Sequence, residues 1–349
     1  MYRDHLPVQK HNCQEPDAFV RNEFEYYQPP LQYVLCAIFA NIFSISPRTN
    51  SLLYFCRGMS VFWGMLSIIV IYFLTKNLFG ETAAFYITSI YSLLPIHIRY
   101  SAAFSNDQLV WVLVLIIIAI MTKKQSTGYS NKKIIFLEGF ILGLALWTKA
   151  TVIPMLFFYI VMAVLQKHRW KYWIYPVIIG GTISSPCFIR NLILYKDLLG
   201  VNISMGPPQI ALSSFNPAVW FKFFRGLAVS FVFPYDTIYI PFVVRLPAYL
   251  FFLLMFILWG FEIQKSLRTK SPPKTSFLNQ SLVLMISIFF LGMIFYNWNH
   301  LQTESRIIFL SFPPVLICVG NKFTHLQLYK MVIILIGILY PTVLVLLYS

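Results

Sequence analysis

Ten long stretches of apolar side chains divide this chain, and they constrain its fold more than any other feature. A helix needs about 20 apolar residues to cross the hydrocarbon core of a bilayer. The runs are continuous rather than alternating, which favours membrane helices over the strands of a transmembrane barrel. Several runs are shorter than about 17 residues, so some helices are expected to be short or broken. The candidate spans lie near residues 57–78, 82–98, 107–122, 134–148, 151–165, 172–194, 246–261, 279–297, 306–320 and 329–348.

The composition agrees with a chain embedded in lipid. Hydrophobic residues make up 58% of the 349 residues and charged residues only 11%, whereas a soluble domain is nearer a quarter charged. The net charge of +15 would suggest a nucleic-acid partner in a soluble protein. Here the basic residues are better explained as loops that orient the chain in the membrane, and we expect no nucleic-acid partner. The sequence therefore predicts an all-α polytopic membrane protein.

The cysteines and histidines form no recognisable pattern. The five cysteines are scattered and include no C-x-x-C pair, so we expect no disulfide framework. The six histidines show no H-E-x-x-H or similar metal-binding spacing. The sequence therefore assigns no metal ligands. The cysteines are Cys13, Cys36, Cys56, Cys187 and Cys318.

The distribution of Lys and Arg predicts which loops face the cytoplasm, because basic residues concentrate in short cytoplasmic loops. They cluster here at alternate junctions between the apolar runs, whereas the opposite short junctions hold only Arg99, Lys149 and Arg306. The loops predicted to be cytoplasmic are 123–133, 166–171, 262–278 and 320–330. The segments predicted to face the outside or the lumen are 1–57, 97–107, 195–245 and 297–306.

The first apolar stretch, residues 31–45, is too short and too interrupted to be an ordinary span. If it crossed the membrane, every later loop would change sides and the charge pattern would invert. We therefore predict a partly embedded hairpin on the outer face, introduced by Gln28, Pro29 and Pro30, since prolines suit the first turn of a helix. The predicted parts of the chain are an outer-face segment at 1–57 and a helical bundle at 58–349, with a long outer loop at 195–245.

Polar residues at membrane depth are candidates for function, because placing them there is costly. Asn106 and Asp107 begin a span, where the alternative role is capping of a helix. Lys149 stands between two short spans, where the alternative is a side chain that reaches to the interface. In the functional interpretation Asp107 acts as a base, or orients a base or a metal, and Lys149 binds a lipid phosphate.

Two more polar clusters lie on the predicted outer face. Arg190 and Tyr195 end a span and open the longest outer loop, where the alternative role is anchoring at the interface. Glu304 and Arg306 precede a later span, where the alternative is a local ion pair. Together the clusters predict a site at the outer membrane surface for a lipid-borne anionic substrate. Lys149, Arg190 and Arg306 would hold a phosphate that leaves during group transfer.

Taken in order, these motifs resemble those of the GT-C glycosyltransferases, multi-span enzymes that move a sugar from a polyprenyl-phosphate or dolichyl-phosphate carrier to an acceptor. The chain is most similar to the mannosyltransferase-like, RgtA/B/C/D-like branch, which is related to protein O-mannosyltransferases and lipid A aminoarabinose transferases. Each piece is weakly specific, but the ordered set is strong and covers most of the chain. The pieces are YYQPPLQYVL, CRGMSVFWGMLSIIVIYFLTKNLFG, LLPIHIRYSAAFSNDQL, LGLALWTKATVIPML, RNLILYKDLLG and QTESRIIFLSFPPVL.

The resemblance implies a GT-C-like helical bundle with about ten spans and with helices along its outer face. It implies sugar transfer from a lipid-linked donor to a glycan, lipid or protein acceptor, with no nucleotide sugar and with divalent-metal use left open. The membrane would be the plasma membrane in a bacterium and the endoplasmic reticulum in a eukaryote. Among the site residues, Asp107 matches the acidic site of the second outer loop, and Arg190 and Arg306 match basic residues of the family.

The family also gives a place to Gln28, Pro29 and Pro30, which match the point where the chain re-enters the bundle on the wall of the substrate cavity. The start of the chain departs from the family pattern, in which a first span and an Asp-Glu-like motif lie upstream of the position of Met1. We therefore expect a chain that lacks this span and its acidic motif. An inactive truncated homologue or a non-catalytic membrane scaffold is the alternative to an enzyme. A transporter or flippase is less favoured, because no internal repeat is visible.

Overall fold

The computed structural model describes residues 28–46, 50–127, 131–199, 212–232, 274–298 and 308–319, together with Arg306 and scattered positions between 246 and 264. All secondary structure within these ranges is helical. This confirms the predicted all-α class.

The described part begins with a helical hairpin. A short helix, α1 (Leu31–Ile42), packs back against a long helix, α2 (Asn50–Phe79). Pro30 is the N-cap residue of α1, and its carbonyl accepts a hydrogen bond from the Val34 amide at 2.9 Å. The proline pair thus introduces a helix, as predicted, because a helix start requires no hydrogen bond from a proline nitrogen. Helix α2 begins at Asn50, upstream of the apolar run predicted at 57–78.

The predicted span at 82–98 is two helices, α3 (Glu81–Leu93) and α4 (Pro95–Ala102). Gly80 makes the turn from α2 into α3 with a φ of 88°, in the left-handed region that favours glycine. Leu94 is extended and Pro95 occupies the first turn of α4. A residue that precedes proline is pushed out of the helical conformation, which explains the break.

Helix α5 (Asp107–Thr127) forms the centre of the bundle. Nearly every side chain from Leu109 to Met121 is buried, as in a helix that is apolar on all sides. It packs against α2 on one side and against α6 (Lys132–Thr148) on the other. Asn131 caps α6, because its side-chain oxygen accepts from the amide of Lys133 at 3.0 Å.

The next two helices are α7 (Ile153–Leu165) and α8 (Trp170–Tyr195), and α8 packs closely along α6. Glycines permit this approach. A Cβ atom on Gly139 would lie 2.7 Å from the Ile179 Cβ, and one on Gly143 would lie 2.7 Å from the Ile183 Cβ. Small residues at such a contact let two membrane helices come together.

The C-terminal described helices are α9 (Pro217–Val232), α10 (Lys274–Tyr296) and α11 (Phe312–Val319), the last preceded by a 3₁₀ turn at Phe309–Ser311. Helix α9 lies within the predicted outer loop 195–245, but it is not a simple loop segment. Its Phe223 and Leu227 are fully buried in a cluster with Met293 of α10. This part of the predicted loop therefore belongs to the packed structure.

Three helical segments in the described ranges are long and apolar enough to cross a membrane: Asn50–Phe79, Lys167–Leu194 and Phe277–Tyr296. The predicted count of ten spans is not confirmed. The run at 246–261 is described only at scattered positions, and the run at 329–348 lies outside the described residues. The division of the chain at residue 57 stays a prediction.

A disulfide joins Cys36 of α1 to Cys56 of α2, and the expectation of no disulfide framework was wrong for this pair. The two cysteines are separated by 20 residues, and the hairpin brings their Cα atoms to 5.9 Å. Spacing alone did not reveal the bond, because the pairing depends on how α1 folds back. Disulfides form in oxidising compartments, which agrees with an outer or lumenal position for this hairpin. Cys187 and Cys318 are free and buried, and Cys13 lies outside the described residues.

The opposite end of α5 contains a buried ion pair that the sequence did not suggest. Lys124 Nζ lies 2.6 Å from Glu138 Oε2, and the Tyr159 hydroxyl donates to Glu138 Oε1 at 2.7 Å. The Lys124 ammonium also lies 4.3 Å from the centre of the Trp173 ring. The sequence placed Lys124 among the exposed loop cations, but it holds α5, α6, α7 and α8 together.

Candidate active site

The candidate site forms where α5 begins and α6 ends. Asp107 is the first residue of α5, and Lys149 follows the last residue of α6 in an extended conformation. Lys149 Nζ lies 2.5 Å from Asp107 Oδ1. The two residues are 1% and 9% exposed, so water screens this ion pair only slightly. Breaking a buried pair by removing one partner typically costs about 3–5 kcal/mol, because the remaining charge stays buried.

Asn106 connects the site to the entry segment. Its Nδ2 donates to Gln28 Oε1 at 2.8 Å and lies 3.3 Å from the carbonyl oxygen of Thr148. These are tertiary contacts, whereas a capping role would use the side-chain oxygen. The structure thus brings together Gln28, Asn106, Asp107 and Lys149, which are far apart in the sequence. Pro29 is buried and Pro30 is half-buried beside them at the start of α1.

Gln32 is a candidate that the sequence analysis missed. It lies in the first turn of α1 and is fully buried, and neither of its amide atoms has a hydrogen-bond partner among the described residues. Asp107 Oδ2 is likewise buried without a partner there. A buried polar atom without a hydrogen bond costs about 1–3 kcal/mol, so such atoms are expected at a binding site. The sequence signal for Gln32 was that it is a second glutamine in the same entry segment, directly after the proline pair and Leu31.

A second group of contacts holds the start of α5 in place. Gln108 Nε2 donates to the carbonyl of His97 at 2.9 Å, and His97 Nε2 lies 3.0 Å from Ser67 Oγ on α2. Trp111 packs against Phe309, with ring centroids 4.1 Å apart. The first turn of α5 is therefore tied to α2, to α4 and to the turn at 309–311.

The remaining predicted site residues are less fully described. Arg190, near the end of α8, and Arg306 are both half-buried. Tyr195 is the last residue of α8, and Glu304 lies outside the described residues. The place of these four residues in the site stays a prediction. Within the described ranges, no group of three His, Cys, Asp or Glu side chains is arranged to hold a metal ion.

Part of the chain matches a known protein family. Residues 27–193 match the family described as dolichyl-phosphate-mannose-protein mannosyltransferase. This stretch includes Gln28, Asn106, Asp107, Lys149 and Arg190. No curated protein sequence matches the chain.

Solved structures share the fold. ArnT from Cupriavidus metallidurans in the apo state is 14% identical, with a TM-score of 0.55 over 86% of this chain and 50% of that one. The same protein bound to undecaprenyl phosphate is 15% identical, with a TM-score of 0.56 over 86% of this chain and 51% of that one. The Archaeoglobus fulgidus oligosaccharyltransferase in complex with Zn and sulfate is 13% identical, with a TM-score of 0.54 over 89% of this chain and 43% of that one.

This chain spans about half the length of the solved structures that it matches. The match extends over most of the described helices, and both neighbours belong to the GT-C superfamily. The resemblance predicted from the sequence is therefore confirmed at the level of the fold. The chain is a multi-pass membrane protein with the helical fold of the GT-C glycosyltransferases, and its residues 27–193 carry the pattern of the dolichyl-phosphate-mannose-protein mannosyltransferase family.

Proposed function

We propose that this protein transfers a sugar from a polyprenyl-phosphate or dolichyl-phosphate carrier to an acceptor at the outer or lumenal membrane face. The family match and the fold support this class of reaction. One structural neighbour was solved with undecaprenyl phosphate, a carrier of this kind. The acceptor is a glycan, a lipid or a protein.

The observation that carries the proposal is the arrangement of the two Asp107 oxygens. Oδ1 is held by Lys149, whereas Oδ2 is buried with no hydrogen-bond partner among the described residues. An oxygen in this state is an acceptor for an incoming hydroxyl or amine. Because the Lys149 ammonium already holds Oδ1, we assign Asp107 the role of orienting the acceptor through Oδ2.

In the reaction the acceptor atom attacks the anomeric carbon of the donor sugar. The bond to the acceptor forms, the bond to the phosphate oxygen breaks, and the phosphate leaves with the electron pair and takes up the proton that the acceptor loses. Lys149 has three N–H donors, of which one is directed at Asp107, so the others are available to a phosphate. Arg190 and Arg306 are the further candidate cations for the charge on the leaving group.

Gln28, Pro29 and Pro30 form the wall of the site on the side where the chain enters the bundle. The Gln28 amide is held by Asn106, so it is already oriented before a substrate binds. Such preorganisation lowers the entropic cost of positioning a sugar or its phosphate.

The test is transfer of radiolabelled sugar from a synthetic polyprenyl-phosphate donor by the full chain in liposomes supplied with a membrane extract. We expect turnover, and a loss of roughly 100-fold or more in Asp107→Asn, because the acceptor loses its charged orienting group. The matched control is Glu81→Gln, which changes an exposed carboxylate paired with Lys76 at the turn between α2 and α3. A folded wild-type protein without turnover would favour the non-catalytic scaffold.

A second variant separates a loss of turnover from a loss of folding. Asp107→Asn leaves Lys149 buried without its partner, so the double variant Asp107→Asn, Lys149→Met is made beside it. The double variant is expected to regain the thermal stability of the wild type but not its turnover. Full turnover in either variant would remove Asp107 from the site.

A further inference from the structure

A basic pocket of about 770 Å³ lies at the other end of the bundle, between the start of α6 and the connection from α7 to α8. Its lining includes Lys132, Lys167, His168, Arg169 and Lys171. No carboxylate is among the residues that line it in the described part of the chain. Among the described residues, the walls of this concave surface therefore contribute positive charge and no carboxylate.

The fold concentrates these cations in one place. A 3₁₀ turn at Lys167–Arg169 leads directly into α8, so successive basic side chains spread around a single turn, and Lys132 faces them from α6. The neighbouring positive charges repel one another, and an anion that enters the pocket reduces this repulsion. The helix dipole of α8 adds partial positive charge at the same point.

The pocket continues into an apolar surface that is exposed on the outside of the bundle. Phe136 and Tyr175 line the pocket and are 59% and 46% exposed. Phe140 stacks on Phe136 with ring centroids 6.4 Å apart, and Ile178 is 55% exposed on the adjacent face of α8. A ligand that fits both surfaces has an anionic head and an apolar tail.

We propose that the basic pocket binds the phosphate-bearing headgroup of an anionic membrane lipid in the cytoplasmic leaflet, with its acyl chain along Phe136, Phe140 and Ile178. Basic pockets between membrane helices on the cytoplasmic side suit such headgroups, and aromatic side chains suit the depth of the interface. The pocket is separate from the sugar-transfer site, because Asp107 and Lys124 lie at opposite ends of α5, roughly 26 Å apart at 1.5 Å per residue.

Orientation of the chain requires basic residues in cytoplasmic loops, but it requires no cavity lined by them. The experiment therefore separates a binding site from a topology signal. The full chain is purified and incorporated into phosphatidylcholine nanodiscs, and binding of a fluorescent phosphatidylglycerol is measured. Inorganic phosphate and glycerol phosphate are the soluble competitors.

The double variant Lys167→Gln, Lys171→Gln is expected to weaken lipid binding roughly 30-fold, from about fivefold for each Lys near an anionic lipid. The matched control is Lys123→Gln, Lys133→Gln, which removes the same charge from the same predicted face at residues that do not line the pocket. The control is expected to change binding by less than about twofold. Equal losses in both variants would mean diffuse attraction and would overturn the proposal.

A separate experiment tests whether the bound phosphate belongs to a lipid headgroup or to a soluble anion. We expect Phe136→Gln to weaken phosphatidylglycerol binding and to leave glycerol phosphate binding unchanged, because only the lipid uses the apolar surface. If inorganic phosphate displaces the lipid at equal concentration, the pocket is a site for a soluble anion and the lipid assignment is wrong. Sugar transfer is not measured in these experiments, so their outcome is independent of the proposed activity.

Discussion

Lys149 donates to Asp107 across the ends of two antiparallel helices, with 2.5 Å between Nζ and Oδ1. The pair ties the start of α5 to the end of α6, and 42 residues of sequence separate its members. Both groups are buried, so removal of either one leaves the other as a buried group without its partner. The same two residues are the strongest candidates for contact with the acceptor and the phosphate.

The first prediction concerns the stability of this pair. Lys149→Met is expected to lower the free energy of unfolding by about 3–5 kcal/mol, because Asp107 is left as an unpaired buried carboxylate. Adding Asp107→Asn to Lys149→Met is expected to restore most of that loss. Denaturant unfolding in detergent is measured for the wild type, for each single variant and for the double variant. The four free energies of unfolding give the coupling energy between Lys149 and Asp107. Strictly additive effects would show that the pair does not form in the membrane protein.

The second prediction concerns the contact between α6 and α8. Gly143→Ala is expected to destabilise the protein by about 1–3 kcal/mol, since the new Cβ would lie 2.7 Å from the Ile183 Cβ. Gly181→Ala is the matched control, because nothing lies within 4 Å of a Cβ built there. The control is expected to be neutral or slightly stabilising. A similar thermal midpoint for both variants would contradict the close helix packing.

The third prediction concerns the hairpin. Loss of the Cys36–Cys56 disulfide is expected to lower stability by about 3 kcal/mol, the value typical of a closed loop of this length. Treatment with a reductant should lower the thermal midpoint of the wild type. It should leave the variant Cys36→Ser, Cys56→Ser unchanged. A wild type that is insensitive to reductant, with both thiols open to alkylation, would show that the bond is absent.

The fourth prediction concerns sidedness. A cysteine placed at Ser130 in the connection between α5 and α6 is expected to react with a membrane-impermeant maleimide only after the membrane is opened. A cysteine placed at Ser44, in the turn between α1 and α2, is expected to react in intact cells. Each variant is compared in the background without Cys13, Cys36 and Cys56, because all three lie in the segment predicted to face the outside. Labelling at residue 130 from outside would place both proposed sites on the wrong leaflets.

Hydrophobicity determined the class of this fold without any tertiary information. Apolar runs and basic loops are properties of single segments, so they can be read one segment at a time. The charge pattern placed Gln28, Asn106, Asp107 and Lys149 on one face, and the structure brings these residues together. Residues 132 and 167–171, predicted to share the opposite face, line one pocket.

Pairing between segments was decided only by the tertiary structure. The Cys36–Cys56 bond exists because α1 folds back on α2, and the burial of Lys124 exists because Glu138 and Tyr159 come to its side. The contact between α6 and α8 likewise depends on how closely the two helices approach, which Gly139 and Gly143 permit. Composition and charge are sums over single residues, so the sequence alone determines them. A contact instead requires two distant segments to have complementary shapes.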